Sequence, residues 1–311
     1  MNDLETRELR YFVAVAEELN FRRAAARLGM AQPPLSKAIR QLEAKLGVLL
    51  LERTTRQVSL TAAGYELLSQ GRYVLGAADK AARRVRRAGQ SDPRLVVTVK
   101  AGADVDLLQK MLIAYRAGEG VLPIEVVVSG WGDPAIMLRD GSADVALIRL
   151  PADTAGLDFE PLLTESRVVA LPANHRLANR HRLFRADLVG ETVPYWGGSD
   201  PAADEYWAGL DNSGLPGNAV PLPGPRGPEV TNMLQLLEVV ALGQAIAYLP
   251  MSVSQRHPRA GLVYRPVADL SPSTLTVAWA EDSRSQSVAE FVRVAVEIAT
   301  YQQQPSVVVR N

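Results

Sequence analysis

The 311-residue chain contains no cysteine. That excludes disulfides, thiolate metal sites, cysteine nucleophiles and any thiol-based redox sensor. Histidine is nearly as scarce, with His175, His181 and His257 the only three. Two of them flank an arginine-rich stretch in which no carboxylate or thiol completes a zinc set. No G-x-S-x-G elbow, phosphate-binding glycine loop, H-E-x-x-H or dinucleotide fingerprint occurs. The sequence therefore predicts no enzyme, no cofactor and no metal. No run approaches the roughly 20 uninterrupted apolar residues of a membrane span. The opening "MNDLETRELRYF" carries acids and lacks a small-residue cleavage site, unlike a secretory signal. A cytoplasmic protein without membrane association is the expectation.

Charge is absent only as a sum, because 34 basic residues balance 34 acidic ones. Residues 1–89 hold 16 Lys+Arg and 9 Asp+Glu, a balance of +7, and the remainder holds 18 and 25, a balance of −7. A basic head on an acidic body is the distribution of a DNA-binding domain joined to a sensing domain.

Within the head, "AQPPLSKAIRQLEAKLG" at 31–47 opens a helix on two prolines. Proline is accepted in a first turn, whose N–H groups have no intrahelical acceptor, and Gly47 suits the far end. Leu35, Ile39, Leu42 and Leu46 form one stripe, which leaves Pro33, Ser36, Lys37 and Arg40 on the opposite face. That face is either solvated or built for phosphates and base edges. Leu9, Phe12, Val13, Ala16 and Leu19 mark an earlier helix. Asn20 suits the cap of a second one, carrying Phe21, Ala24, Ala25 and Leu28. Leu28-Gly29-Met30 is a tight turn into the third helix, which makes a helix-turn-helix. "LLLERTTRQVSLTAAG" then reads as a two-stranded wing, with Arg53 and Arg56 near its tip.

The stretch "FRRAAARLGMAQPPLSKAIRQLEAKLGVLLLERTTRQVSLTAAG" resembles the winged helix-turn-helix of LysR-type transcriptional regulators. The match is ungapped over about 60 residues, far more specific than a short motif. It implies Gln32, Pro33, Ser36 and Lys37 as base and phosphate readers, with Arg53 on the wing. Lys37 stands where the family often has arginine, so it offers a point charge instead of a bidentate fork.

Thr61 suits the cap of a long helix running to about Arg87. Leu67, Gly71, Val74, Ala78, Ala81, Val85 and Ala88 repeat with 4-3 spacing, either a dimer seam or packing on the chain's own effector domain. The resemblance implies pairing through this linker helix, as a homodimer or homotetramer. "RRVRR" at 83–87 either touches DNA or ends the helix in solvent.

From Leu95 the pattern alternates strand and helix: "LVVTVKAG", "VDLLQKMLIAYRA", "IEVVVSG", "DPAIMLRDG", "DVALIRL". Successive βα units predict a parallel sheet under helices. "RVVALP", "TVPYW" and "AIAYLP" suggest a second sheet, with "NMLQLLEVVALG" its main helix. "TLTVAWA" and a final helix follow. The resemblance implies an α/β effector domain of two lobes, like a type 2 periplasmic binding protein, behind an α-rich head. The domains expected are a winged helix-turn-helix at 1–60, a linker helix at 61–89 and an effector domain at 92–311. The first lobe spans about 93–164 and 270–303 and the second about 165–269, with hinge strands near 163–167 and 266–272.

Ligands of open α/β sheets bind beyond the C-terminal strand ends. Those ends supply Lys100, Gly102, Ala103 and Asp104, then Gly130 and Trp131, then Arg149. The other lobe supplies Tyr195, Trp196 and Thr231. Trp131, Tyr195 and Trp196 suit a flat metabolite or simply pack. Members of the family often carry a hydroxyl residue after the first strand. Here Gly102-Ala103-Asp104 stands there, and the expectation is that Asp104 repels an anionic effector and favours an amine- or hydroxyl-bearing one. The Gly/Pro-rich segment 210–228 is a rim over the cleft or a surface insertion.

The function expected is sequence-specific binding of double-stranded DNA, modulated by a small-molecule effector, with RNA polymerase a partner implied by the resemblance. The alternative is an effector-independent architectural regulator with a vestigial cleft, motivated by the small residues at 101–103. Catalysis on this fold has no residue constellation to support it.

Overall fold

The computed structural model describes residues 4–53, 58–89, 92–102, 104–130, 132–196, 201–211 and 224–303. The chain divides into two compact units, Met1–Gly89 with Arg139–Gly141 and the remainder.

The first unit begins with α1 (Thr6–Glu18), α2 (Phe21–Arg27) and α3 (Gln32–Leu46). Asn20 caps α2 as expected, its Oδ1 accepting the N–H groups of Arg22 and Arg23 at 3.0 Å each. Pro33 and Pro34 lie in the first turn of α3, and Gly47 ends it in the left-handed region at φ 72°. Phe12, Ala24, Ala25, Leu35, Ile39 and Leu42 form the core these helices share. The wing is an antiparallel pair, β1 (Leu51–Arg53) with β2 (Val58–Leu60). Glu43 ties it to α3: its buried carboxylate accepts the N–H groups of Leu50 and Leu51 at 3.1 and 3.2 Å. Thr61 starts α4 (Ala62–Ala88), its Oγ1 accepting the Gly64 N–H at 3.0 Å and donating to the Leu49 carbonyl at 2.7 Å.

The 4-3 pattern on α4 is divided between two tasks. Leu67 packs against the head's core, and a Cβ at Gly71 would lie 3.2 Å from Val13 Cγ2. These first positions face α1 of the same chain, which corrects the expectation of one continuous seam. Val74 and Val85 are exposed, as are Tyr65 and Tyr73 on other parts of the helix surface. The side chains of Arg84, Arg87 and Ala88 lie outside the described residues.

The second unit continues with β3 (Leu95–Lys100), α5 (Val105–Arg116), β4 (Ile124–Ser129), α6 (Asp133–Arg139), β5 (Val145–Leu150) and β6 (Leu157–Glu165). The chain then enters a second lobe through β7 (Arg167–Pro172), β8 (Val193–Trp196), α7 (Pro201–Trp207), β9 (Arg226–Val230), α8 (Met233–Ala241), β10 (Ala247–Pro250), α9 (Met251–Arg256) and β11 (Leu262–Pro266). It returns as β12 (Ser273–Ala280) and α10 (Gln286–Gln303). The crossings lie between Glu165 and Arg167 and between Pro266 and Ser273, inside the ranges expected for the hinge.

The first-lobe sheet has the order β4-β3-β5-β12-β6. It is mixed and not parallel throughout: β3 runs parallel to β4 and β5, but β12 runs antiparallel to β5 and β6. The reason is the return crossing, which brings β12 back in the opposite sense. Leu95, Val97, Val99, Val145, Leu147 and Val277 meet α5 and α10 on one face. Val96, Ala146, Ile148 and Ala278 meet α6 on the other. The second lobe also departs from expectation. Among the described residues, β10-β7-β11 form an antiparallel sheet, while β8 pairs in parallel with β9 alone.

Candidate functional site

Two surfaces carry the residues singled out by the sequence. On α3, Leu35, Ile39 and Leu42 are fully buried, which turns Gln32, Pro33, Lys37 and Arg40 outward and leaves Ser36 half-buried. Arg40 Nε donates to the Ser36 carbonyl at 3.3 Å, so its guanidinium lies back along its own helix. Arg53 takes its place in β1, opposite Val58. Its side chain, and Arg56 entirely, lie outside the described residues. Glu17 braces the assembly behind this face. It accepts Arg27 Nη1 from α2 at 2.7 Å and Arg72 Nη2 from α4 at 2.9 Å. The sequence reading missed Glu17 and Glu43, since neither lies in an apolar stripe or a basic cluster.

The second surface lies where the two lobes of the effector unit meet. Lys100 closes β3 and sets its Nζ 4.6 Å from the ring centroid of Trp196 in the other lobe, a cation–π contact. Burial holds the Lys100 ammonium well below the usual lysine pKa. The Arg149 charge adds to that effect and Asp104 opposes it. Gly102 has φ 75°, a conformation that favours glycine, and a Cβ there would lie a tight 3.1 Å from Met233 Cβ. Thr231 precedes α8, where its Oγ1 and N–H both reach Gln235 Oε1 at 2.8 Å. The Gly130 N–H donates to Asp133 Oδ2 at 2.7 Å and so closes the loop before α6. Ala103, Trp131 and most of the segment 210–228 lie outside the described residues.

Tyr195 is not beside Trp196 in the sense the sequence suggested. Neighbouring residues of a strand point to opposite faces. Trp196 is buried in the second-lobe core. Tyr195 carries the Arg226 guanidinium 3.6 Å from its ring centroid and donates to Glu229 Oε2 at 3.3 Å. The two aromatics therefore do not form one wall.

Asp104 requires a second correction. Its carboxylate is 2 % exposed and is paired with Arg149 at 2.7 Å and Arg256 at 3.2 Å. A carboxylate neutralised by two guanidiniums does not present the bare negative charge expected of it. Arg149 is correspondingly committed to the protein. It also donates to Glu165 Oε1 at 2.6 Å, Ser273 Oγ at 3.0 Å and Ser252 Oγ at 3.3 Å. Glu165, Ser252, Ser273 and Arg256 escaped the sequence reading because each is a single polar residue at the edge of an element.

Comparison with known proteins places both units in a family. Residues 6–65 match the family described as "Bacterial regulatory helix-turn-helix protein, lysR family", and residues 88–299 match "LysR substrate binding domain". The chain is 34% identical over 299 residues to the Hca operon transcriptional activator HcaR of Escherichia coli (strain K12), covering 94% of this chain and 98% of that protein. It is 41% identical over 179 residues to a probable hydrogen peroxide-inducible genes activator of Mycobacterium xenopi, covering 56% of this chain and 93% of that one. Among solved structures, full-length BenM matches with a TM-score of 0.55 at 27% identity, covering 96% of this chain and 98% of that one. CbnR in complex with its target DNA shares the fold, with a TM-score of 0.51 at 24% identity over 95% of this chain and 100% of that one. The chain belongs to the LysR family of bacterial transcriptional regulators: its amino-terminal unit is the helix-turn-helix DNA-binding domain and its carboxy-terminal unit the effector-binding domain.

Proposed function

We propose that the regulator reads its operator through Gln32, Pro33, Ser36, Lys37 and Arg40 on α3, with Arg53 and Arg56 of the wing against the backbone. The observation that carries this is the opposition on one helix of a fully buried Leu35/Ile39/Leu42 stripe and an exposed polar, cationic face. The outward residues near the helix start are those that reach base edges in a major groove. Two heads, paired through the exposed part of α4 in a homodimer or homotetramer, read two half-sites. An effector at the lobe junction, against Lys100, Gly102, Trp196 and Thr231, changes the lobe arrangement and with it operator affinity or promoter activation. The site acts in the cytoplasm with RNA polymerase as the final partner.

Footprinting on the protein's own promoter region tests the reading. Lys37→Glu and Arg40→Glu together reverse the charge of the face and are expected to abolish protection. Protection unchanged from wild type overturns the assignment.

A further inference from the structure

Asp104 stands immediately before α5, where an aspartate ordinarily accepts the N–H groups of its own helix. It makes no such bond. Its carboxylate turns instead into the lobe junction. Oδ2 accepts Arg149 Nε at 3.1 Å and Oδ1 accepts Arg149 Nη2 at 2.7 Å, a two-pronged fork. Oδ1 also accepts Arg256 Nη2 at 3.2 Å. Arg149 belongs to β5 of the first lobe and Arg256 to α9 of the second. Glu165 adds a parallel tie, its Oε1 and Oε2 accepting Ser252 Oγ at 2.8 Å and Ser252 N at 2.5 Å. Two guanidiniums thus face two carboxylates, all four contributed by the protein. Arg256 Nε, buried in the same cluster, has no hydrogen-bond partner.

We infer that Asp104 is an internal carboxylate occupying an anion seat built by Arg149 and Arg256, that it fastens α9 to the first lobe without a ligand, and that it shuts the anionic group of any cleft ligand out of that seat. The exclusion rests on the junction being the effector site; the seat and its occupant do not. An effector entering beside Lys100 and Trp196 then meets Arg149 already neutralised, and its selectivity is set by groups other than this arginine.

The experiment is chemical rescue of the full-length protein. Asp104→Ala removes the carboxylate, keeps the Cβ, and leaves a space that formate fits. Loss of one partner from a buried ion pair is expected to lower Tm in chloride by about 5–10 °C. Formate at equal ionic strength is expected to restore at least half of that loss, saturably, and to leave wild type unmoved. Asp104→Asn keeps the space filled, and is expected to lose stability without responding to formate. An Asp104→Ala protein with the same Tm in formate and chloride overturns the inference, as does a wild type that responds as strongly. Should Asp104→Ala fold in neither salt, a double-mutant cycle of Asp104→Asn with Arg256→Gln decides. Losses in Tm that fall short of additive support the seat, and strictly additive losses overturn it. Because Tm is read without DNA or effector, the seat can fail while the operator reading stands, and the reverse.

Discussion

At the scale of single residues, Lys100 is where the proposed effector contact and stability oppose each other. Its ammonium is desolvated at the lobe junction, which favours the neutral amine. The folded value is lowered below the unfolded one, so between the two the unfolded chain binds more protons. Stability therefore rises with pH across that window; the penalty is gone above the ordinary lysine value of 10.5 and is complete once pH falls below the folded value. Lys100→Met is expected to raise Tm at neutral pH, to flatten this rise with pH in thermal melts, and to lose the effector response in a promoter assay. A Met variant less stable than wild type at neutral pH would show that the contact with Trp196 outweighs the desolvation. Lys100 was legible in the sequence as a strand-end cation. That it meets Trp196, and that Tyr195 does not join them, depended on which face of β8 turns inward.

At the scale of elements, the head was read nearly whole. Asn20, Gly47 and Thr61 begin or end their helices through bonds to residues within four positions, which sequence spacing reports directly. The close approach of α4 to the wing is a tertiary fact. A Cβ at Gly64 would lie 2.1 Å from the Leu50 carbonyl oxygen, and backbone cannot swing aside as a flexible side chain does. Gly64→Ala is expected to cost about 1–3 kcal/mol of stability by overpacking, measured as a lowered denaturant midpoint of the head. An unchanged midpoint would mean that this junction is loose. In the effector unit β6 went unread because "LDFEPLLTE" is an exposed edge strand for most of its length, with no alternation to reveal it. The parallel sheet expected from the βα repeats became mixed once β12 re-entered from the second lobe, a consequence of chain path that no local pattern encodes.

At the scale of the molecule, the segregation of +7 on residues 1–89 and −7 on the rest concentrates DNA attraction in the head while the net charge stays at zero. Operator affinity is expected to fall linearly with salt on logarithmic axes, and Lys37→Met to reduce that slope by about 1 per protomer. A slope that does not change removes Lys37 from the phosphate contacts. What the sequence alone determined were properties that follow from order along the chain: helix faces, caps, the order of head and effector units, the absence of thiol chemistry, and the family. What only the tertiary structure decided were relations between residues far apart in sequence. Asp104, Arg149, Glu165 and Arg256 come from four separate places in the chain, and their charges cancel only because α9 of the second lobe packs against the strand ends of the first. A carboxylate's charge is visible in one letter; whether it is bare or paired depends on what the folded chain brings within about 3 Å of it.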